Sequence, residues 1–212
     1  MKLYTYFRSS ASFRVRIALN LKGIAYEPSF VHLPKGEHRA APYSKVNPQA
    51  LTPTLVLDDG EQLAQSLAII EYLDEVQPQP PLLPKDAKGR ARVRSLSLLI
   101  ACEIHPLNNL RTLQHLKRVL GQTEDQVNAW YRHWVADGLA KFEADLATGG
   151  SGKYCHGDVP TMADCCLVPQ IFNAKRYQCD LAPYPATMRI FDACMKLEAF
   201  DLAQPSKQPD AE

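Results

Sequence analysis

The apolar rhythm of the chain changes once, near residue 77. Before that point, short apolar runs alternate with helical spacing. Leu3 to Phe7 is brief and aromatic-rich and predicts a strand. Ser9-Ser10-Ala11-Ser12 then leads into Phe13, Ile17 and Leu21, apolar positions spaced as one helix face, with Gly23 placed to end the helix. Ala25 to Val31 predicts a second strand, and Pro28 puts it at a sheet edge, because proline cannot donate to a ladder. Leu33 to Asn47 is polar and broken, a loop with room for one short helix. Thr54–Leu57 and Glu61–Leu63 flank Asp59-Gly60, a strong hairpin signal. Ser66 is then expected to cap a helix carrying Ile69, Ile70 and Leu73. The order is β-α-β-(α)-β-β-α.

Residues 77–85 hold Pro78, Pro80, Pro81 and Pro84, so no helix or central strand can run through them. Everything after reads helical. One pattern runs from about Ala87 to Leu120, interrupted at Pro106. Thr123 and Gln126 form a capping-box pair opening a helix with Val127, Trp130, Trp134, Leu139 and Phe142. Gly149, Gly150 and Gly152 end it. Thr161 to Asp164 opens another helix, containing Pro169, and Tyr184-Pro185 starts a last one. The expected domains are an α/β domain over 1–77, a proline-rich linker over 78–86, an all-helical domain over 87–203 and a polar, disordered tail over 204–212.

Charge removes several functions. Lys+Arg number 24 against 23 Asp+Glu, a net charge of +1, so no basic stripe for nucleic acid or acidic tail is indicated. No apolar run reaches the roughly 18 residues of a membrane span. Met1 to Phe7 lacks a long apolar segment, so a soluble cytosolic protein is expected. The six cysteines contain no CxxC pair and read as buried free thiols. Histidines 32, 38, 105, 115, 133 and 156 show no metal-ligand spacing, so no metal is expected.

Three loop ends could carry chemistry. At Arg8-Ser9-Ser10-Ala11, a helix N-terminus offers unpaired N–H groups and partial positive charge, with serine hydroxyls beside them. Such a place stabilises a thiolate, carboxylate or phosphate. Plain helix capping accounts for the same serines. Thr52-Pro53 precedes a strand; a cis bond there would leave the Thr52 backbone free for an extended ligand, whereas a trans proline would make an ordinary turn. Gln65-Ser66 offers an amide, a hydroxyl and free N–H groups at the next helix start, or again only a cap.

Closer matches lie in longer stretches. Tyr6-Phe7-Arg8-Ser9-Ser10-Ala11-Ser12-Phe13-Arg14-Val15-Arg16-Ile17-Ala18-Leu19 resembles the opening motif of zeta-class glutathione transferases. Pro53-Thr54-Leu55, Gln65 through Leu73, Glu103 through Arg111 and Gly157 through Asp164 are similar to that class too, in order and spacing. The resemblance implies a thioredoxin-like α/β domain, an all-α C-terminal domain and a homodimer in the cytoplasm. It implies glutathione-dependent cis–trans isomerisation of a maleyl diacid, maleylpyruvate to fumarylpyruvate, with maleylacetoacetate as the alternative substrate. A non-catalytic glutathione-binding protein of the same fold is the contrasting reading, although Ser9, Ser10, Gln65 and Ser66 are all intact. The resemblance assigns the thiolate to Ser9, Ser10 and Ala11. It gives the γ-glutamyl end to Gln65 and Ser66, the cysteinyl backbone to Thr52 and Pro53, and the glycyl end to His38 and Gln49. His105 and Asn109 join them from the helical domain. Arg8, Arg111 and Arg176 become anchors for substrate carboxylates, Arg8 and Arg176 beside the chemistry. The class usually carries Ser-Ser-Cys where this chain has Ser9-Ser10-Ala11, so any thiol at that turn must come from glutathione.

Overall fold

Lys2–Thr5 forms β1 of the computed structural model, which describes residues 1–212. Leu3 is fully buried there, as the apolar run predicts. Helix α1 spans Ser10–Leu21 and stops where Gly23 adopts φ +63°, the left-handed conformation expected past a helix end. Strand β2 (Glu27–Phe30) runs parallel to β1, and Pro28 does lie on an edge strand. The polar stretch holds a 3-10 turn at Glu37–Arg39 and the short helix α2 (Tyr43–Val46). Strands β3 (Thr54–Val56) and β4 (Gln62–Ala64) are antiparallel, turned by Gly60 at φ +90°, and the sheet order is β2-β1-β3-β4. Helix α3 covers Ser66–Val76 and packs on α1.

The chain divides into two units: residues 1–83 together with 195–212, and residues 84–194. The first therefore contains more than the opening domain read from sequence. Residues 195–203, expected with the helical domain, belong to it through α9 (Glu198–Leu202), which packs on α1. Residues 204–212, expected to be disordered, are ordered. Pro205–Lys207 makes a 3-10 turn, Asp210 Oδ2 accepts the Phe7 N–H at 2.9 Å, and Glu212 pairs with His32 at 3.0 Å. The segment is polar in sequence but is held by these polar contacts together with the buried Pro205.

Arg16 binds the returning segment at Ala203. It is fully buried, and its guanidinium donates to the carbonyls of Tyr6, Phe7 and Ala203 and to Thr5 Oγ1 at 3.0–3.3 Å. Burial pushes its pKa down to about 10, which still leaves it charged at neutral pH.

In the second unit, α4 (Ala87–Leu98) passes into a π-helical segment, Leu99–Ile104. Pro106 follows, and regular helix resumes only at α5 (Leu110–Arg118). Helix α6 (Glu124–Ala147) starts with the expected capping box, both Thr123–Gln126 bonds being present. Helices α7 (Met162–Arg176) and α8 (Pro185–Cys194) complete the unit. Asp164 caps α7 and also accepts the Cys155 N–H at 2.9 Å; burial pushes its carboxyl up, against the pull of those donors. All six cysteines are free, but Cys102 is exposed and Cys179 half-buried, unlike the other four. No helix is long and apolar enough to cross a membrane.

Gly138 lets α6 approach the π segment. A Cβ there would run into the Ile104 side chain at Cγ1. Gly138→Ala is expected to destabilise the protein by about 1–3 kcal/mol through overpacking, despite alanine's better helix propensity. A thermal melt that shows a gain instead would refute this.

Candidate functional site

Ser9 is the N-cap of α1 in extended conformation (φ −68°, ψ 114°), and its Oγ accepts the Ser12 N–H at 3.2 Å. Ser10 is buried in the first turn, and Ala11 follows it half-buried. Arg8 stands exposed just before them. Its guanidinium donates to Tyr6 Oη at 3.1 Å and lies 4.8 Å from the Phe7 ring centroid, so its direction is set by two neighbours. The backbone on which it stands is fixed by Asp210 at the Phe7 N–H and by Arg16 at the Phe7 carbonyl.

The second loop meets the first. Thr52 Oγ1 donates to Ser9 Oγ at 3.3 Å, and the Thr52–Pro53 bond is cis. Both residues are buried. The loop is held from α2: Asn47 Nδ2 donates to the Leu51 carbonyl and to Thr54 Oγ1, each at 2.9 Å, and Tyr43 Oη bonds both acceptors as well. Burial pushes the Tyr43 phenol up, which keeps it a donor.

The third loop end differs from expectation. Ser66 does not cap α3; Gln65 is the N-cap, at φ +70°, and makes no capping bond. The Ser66 hydroxyl accepts from Arg14 Nη1 at 3.3 Å. Arg14 is buried, so a cation sits under the first turn of α3. Gln65 Nε2 donates to Gln49 Oε1 at 2.8 Å, and both side chains reach the surface. His38 is half-buried, with Nδ1 lacking a hydrogen-bond partner. Burial and then Arg39 push its pKa down, which favours the neutral imidazole. Two direct contacts tie these loop ends in pairs, Thr52 to Ser9 and Gln65 to Gln49, while Ser66 is held by Arg14. The starts of α1 and α3, with these hydroxyls and amides, offer donors suited to anionic groups.

The second unit holds the remaining residues. Asn109 caps α5 by accepting the Arg111 N–H at 3.2 Å, and its Nδ2 lies 3.2 Å from His105 Nε2. Arg111 is exposed. Arg176 ends α7, its guanidinium 4.8 Å from the Tyr177 ring centroid. Tyr177 in turn stacks on the buried Tyr131, centroids 3.6 Å apart.

Sequence reasoning missed Arg14, Arg16 and Asp210. One signal was present for Arg16: it falls three residues after Phe13 and beside Ile17, on the apolar face.

The N-terminal domain model of glutathione S-transferases matches residues 3–81, and the C-terminal domain model matches residues 124–193. A maleylpyruvate isomerase from Ralstonia is 50% identical over 213 residues, covering all of both chains. A holo maleylpyruvate isomerase described as a bacterial zeta-class glutathione transferase superposes with TM-score 0.97 at 48% identity, both chains fully covered. The chain belongs to the zeta class of glutathione transferases. A maleylacetoacetate isomerase from Methylobacterium extorquens, solved with malonate and glutathione bound, also superposes at TM-score 0.97, with 39% identity and full coverage of both chains. The zeta-class fold explains the two units, a four-stranded sheet with helices and a helical bundle.

Proposed function

We propose that this zeta-class chain is a glutathione-dependent isomerase that converts maleylpyruvate to fumarylpyruvate. The observation that carries the reading is the hydroxyl-lined start of α1, with Arg8 immediately before it and no thiol of the protein's own. The named relatives at 50% and 48% identity support the substrate class.

The residues suit glutathione. It carries a thiol and two carboxylates, and the site offers two helix N-termini, a buried cation at Arg14 and the unpartnered His38 Nδ1. Glutathione held there would supply a thiolate for reversible addition to the maleyl double bond, so that rotation about the resulting single bond and elimination would give the trans product. Ser9 and Ser10 hold the sulfur's charge by donation at the α1 N-terminus. Gln65 and Ser66 hold the γ-glutamyl end, the Thr52 and Pro53 backbone the cysteinyl part, and Gln49 with His38 the glycyl end; Ala11 leaves room beside the thiol. Arg8 binds a substrate carboxylate through its fork of donors, already oriented by Tyr6 and Phe7. From the helical unit, His105, Asn109, Arg111 and Arg176 take the roles that the class likeness gives them, glutathione contact for the first two and carboxylate binding for the arginines. The same likeness supports a cytoplasmic homodimer, which light scattering would check for the assembly.

The deciding assay follows the loss of maleylpyruvate with and without glutathione. A glutathione-dependent rate is expected, and equal rates would end the proposal. Binding to immobilised glutathione with no turnover of any maleyl compound would favour the non-catalytic reading. Competition between maleylpyruvate and maleylacetoacetate separates the two substrates. Arg8→Ala and Arg176→Ala should each raise the KM for the diacid by about 10- to 100-fold, the worth of a charge-assisted contact, and change that for glutathione far less. The reverse pattern would reject the anchors.

A further inference from the structure

We propose that the Thr52 side chain is a positioning residue that directs the Ser9 hydroxyl proton at the thiol. This rests on the reading of the α1 N-terminus as the thiolate site, and it adds to that reading a function for a hydroxyl rather than for a backbone.

A serine hydroxyl has one proton to give and two lone pairs to receive. Ser9 Oγ receives the Ser12 N–H at 3.2 Å and the Thr52 hydroxyl proton at 3.3 Å. Both acceptor positions are then engaged within the protein. The one remaining capacity of Ser9 is donation, directed away from Ser12 and Thr52. A serine held by a cap bond alone keeps one lone pair open, and its hydroxyl can rotate among several partners.

Thr52 is built to hold this arrangement. It is 8% exposed, and its β-branched side chain is stiff at χ1. The residues on either side of the Thr52-Pro53 pair are tied down: the Leu51 carbonyl and Thr54 Oγ1 both accept from Asn47 Nδ2 and both bond Tyr43 Oη. The Thr52 hydroxyl therefore approaches Ser9 from a fixed place. Each bond donated to Ser9 Oγ polarises its O–H and makes it a better donor. The chain runs from Thr52 O–H to Ser9 Oγ, and from Ser9 O–H to the glutathione sulfur. It favours the thiolate over the thiol without moving any atom of the helix.

The test titrates enzyme-bound glutathione by the ultraviolet absorbance of its thiolate. Thr52→Val keeps shape and backbone but removes the hydroxyl. Its thiol midpoint should rise by about half to one pH unit, roughly a three- to tenfold loss of thiolate below the midpoint. Thr52→Ser should restore the parent midpoint. In a Ser9→Ala background, Thr52→Val should add nothing, because the group it acts through is gone. A midpoint unmoved by Thr52→Val, while Ser9→Ala moves it, overturns this proposal and leaves the thiolate site standing. A midpoint unmoved by Ser9→Ala overturns this proposal, and one unmoved by Ser9→Ala and Ser10→Ala alike overturns the thiolate site as well. Loss of glutathione binding in Thr52→Val but not in Thr52→Ser would assign the hydroxyl to holding glutathione itself and would likewise overturn it.

Discussion

Replacing Arg16 with methionine is expected to lower the free energy of unfolding by about 2–4 kcal/mol. Methionine fills much of the same length but donates nothing. The Phe7 and Ala203 carbonyls lose the donors that Arg16 supplies, and Tyr6 keeps only the Ser9 N–H. A buried acceptor left without a donor costs about 1–3 kcal/mol. Removing the buried charge offsets part of this, because its desolvation is no longer required. The loss is a large fraction of the 5–15 kcal/mol that holds an ordinary protein together. Urea unfolding followed by far-ultraviolet circular dichroism measures it. Trp130 and Trp134 both lie in the helical unit, so fluorescence should report the change less directly than dichroism. A loss under 1 kcal/mol would show that water replaces the guanidinium at low cost.

Ser9→Ala is expected to produce two effects of different size. Loss of the N-cap bond to Ser12 should cost about 1 kcal/mol of stability. Loss of the hydroxyl donor should lower kcat/KM by about 10²–10³, the cost of removing one preorganised donor from a developing charge. The two are separable, because a cap defect alone leaves most molecules folded and the rate nearly intact. Ser10→Ala serves as the comparison, since Ser10 is buried in the first turn. If Ser10→Ala slows turnover more than Ser9→Ala, the principal donor is Ser10.

Local chemistry made much of the fold readable. Asp59-Gly60 set the hairpin, Pro28 marked the edge strand, Gly23 ended α1, and the Thr123–Gln126 pair opened α6; each acts within a few residues. Ser9 was readable as a cap, which the structure shows, and the class motif suggested the further role proposed for it. What was not readable depends on distance. Arg16 reads as a polar helix position because its partner Ala203 lies 187 residues away. Asp210 reads as part of a polar tail because Phe7 lies 203 residues away. Ser66 reads as a cap because that is the local use of such a serine, and Arg14 gives its hydroxyl another. The π segment ahead of Pro106 is invisible to a rule that knows only the 3.6-residue period.

The 187-residue separation between Arg16 and Ala203 also sets a clock. At about 5–20 residues per second, a ribosome needs roughly ten to forty seconds to make the intervening chain. Any sheet, α1 and α3 formed in that time would have Arg16 lacking its last acceptor and the Arg8–Ser9 turn lacking Asp210. The first unit to be synthesised is thus the last to be finished. A nascent chain halted before residue 203 should be soft at its amino-terminal end, where proteases and chaperones would find it first.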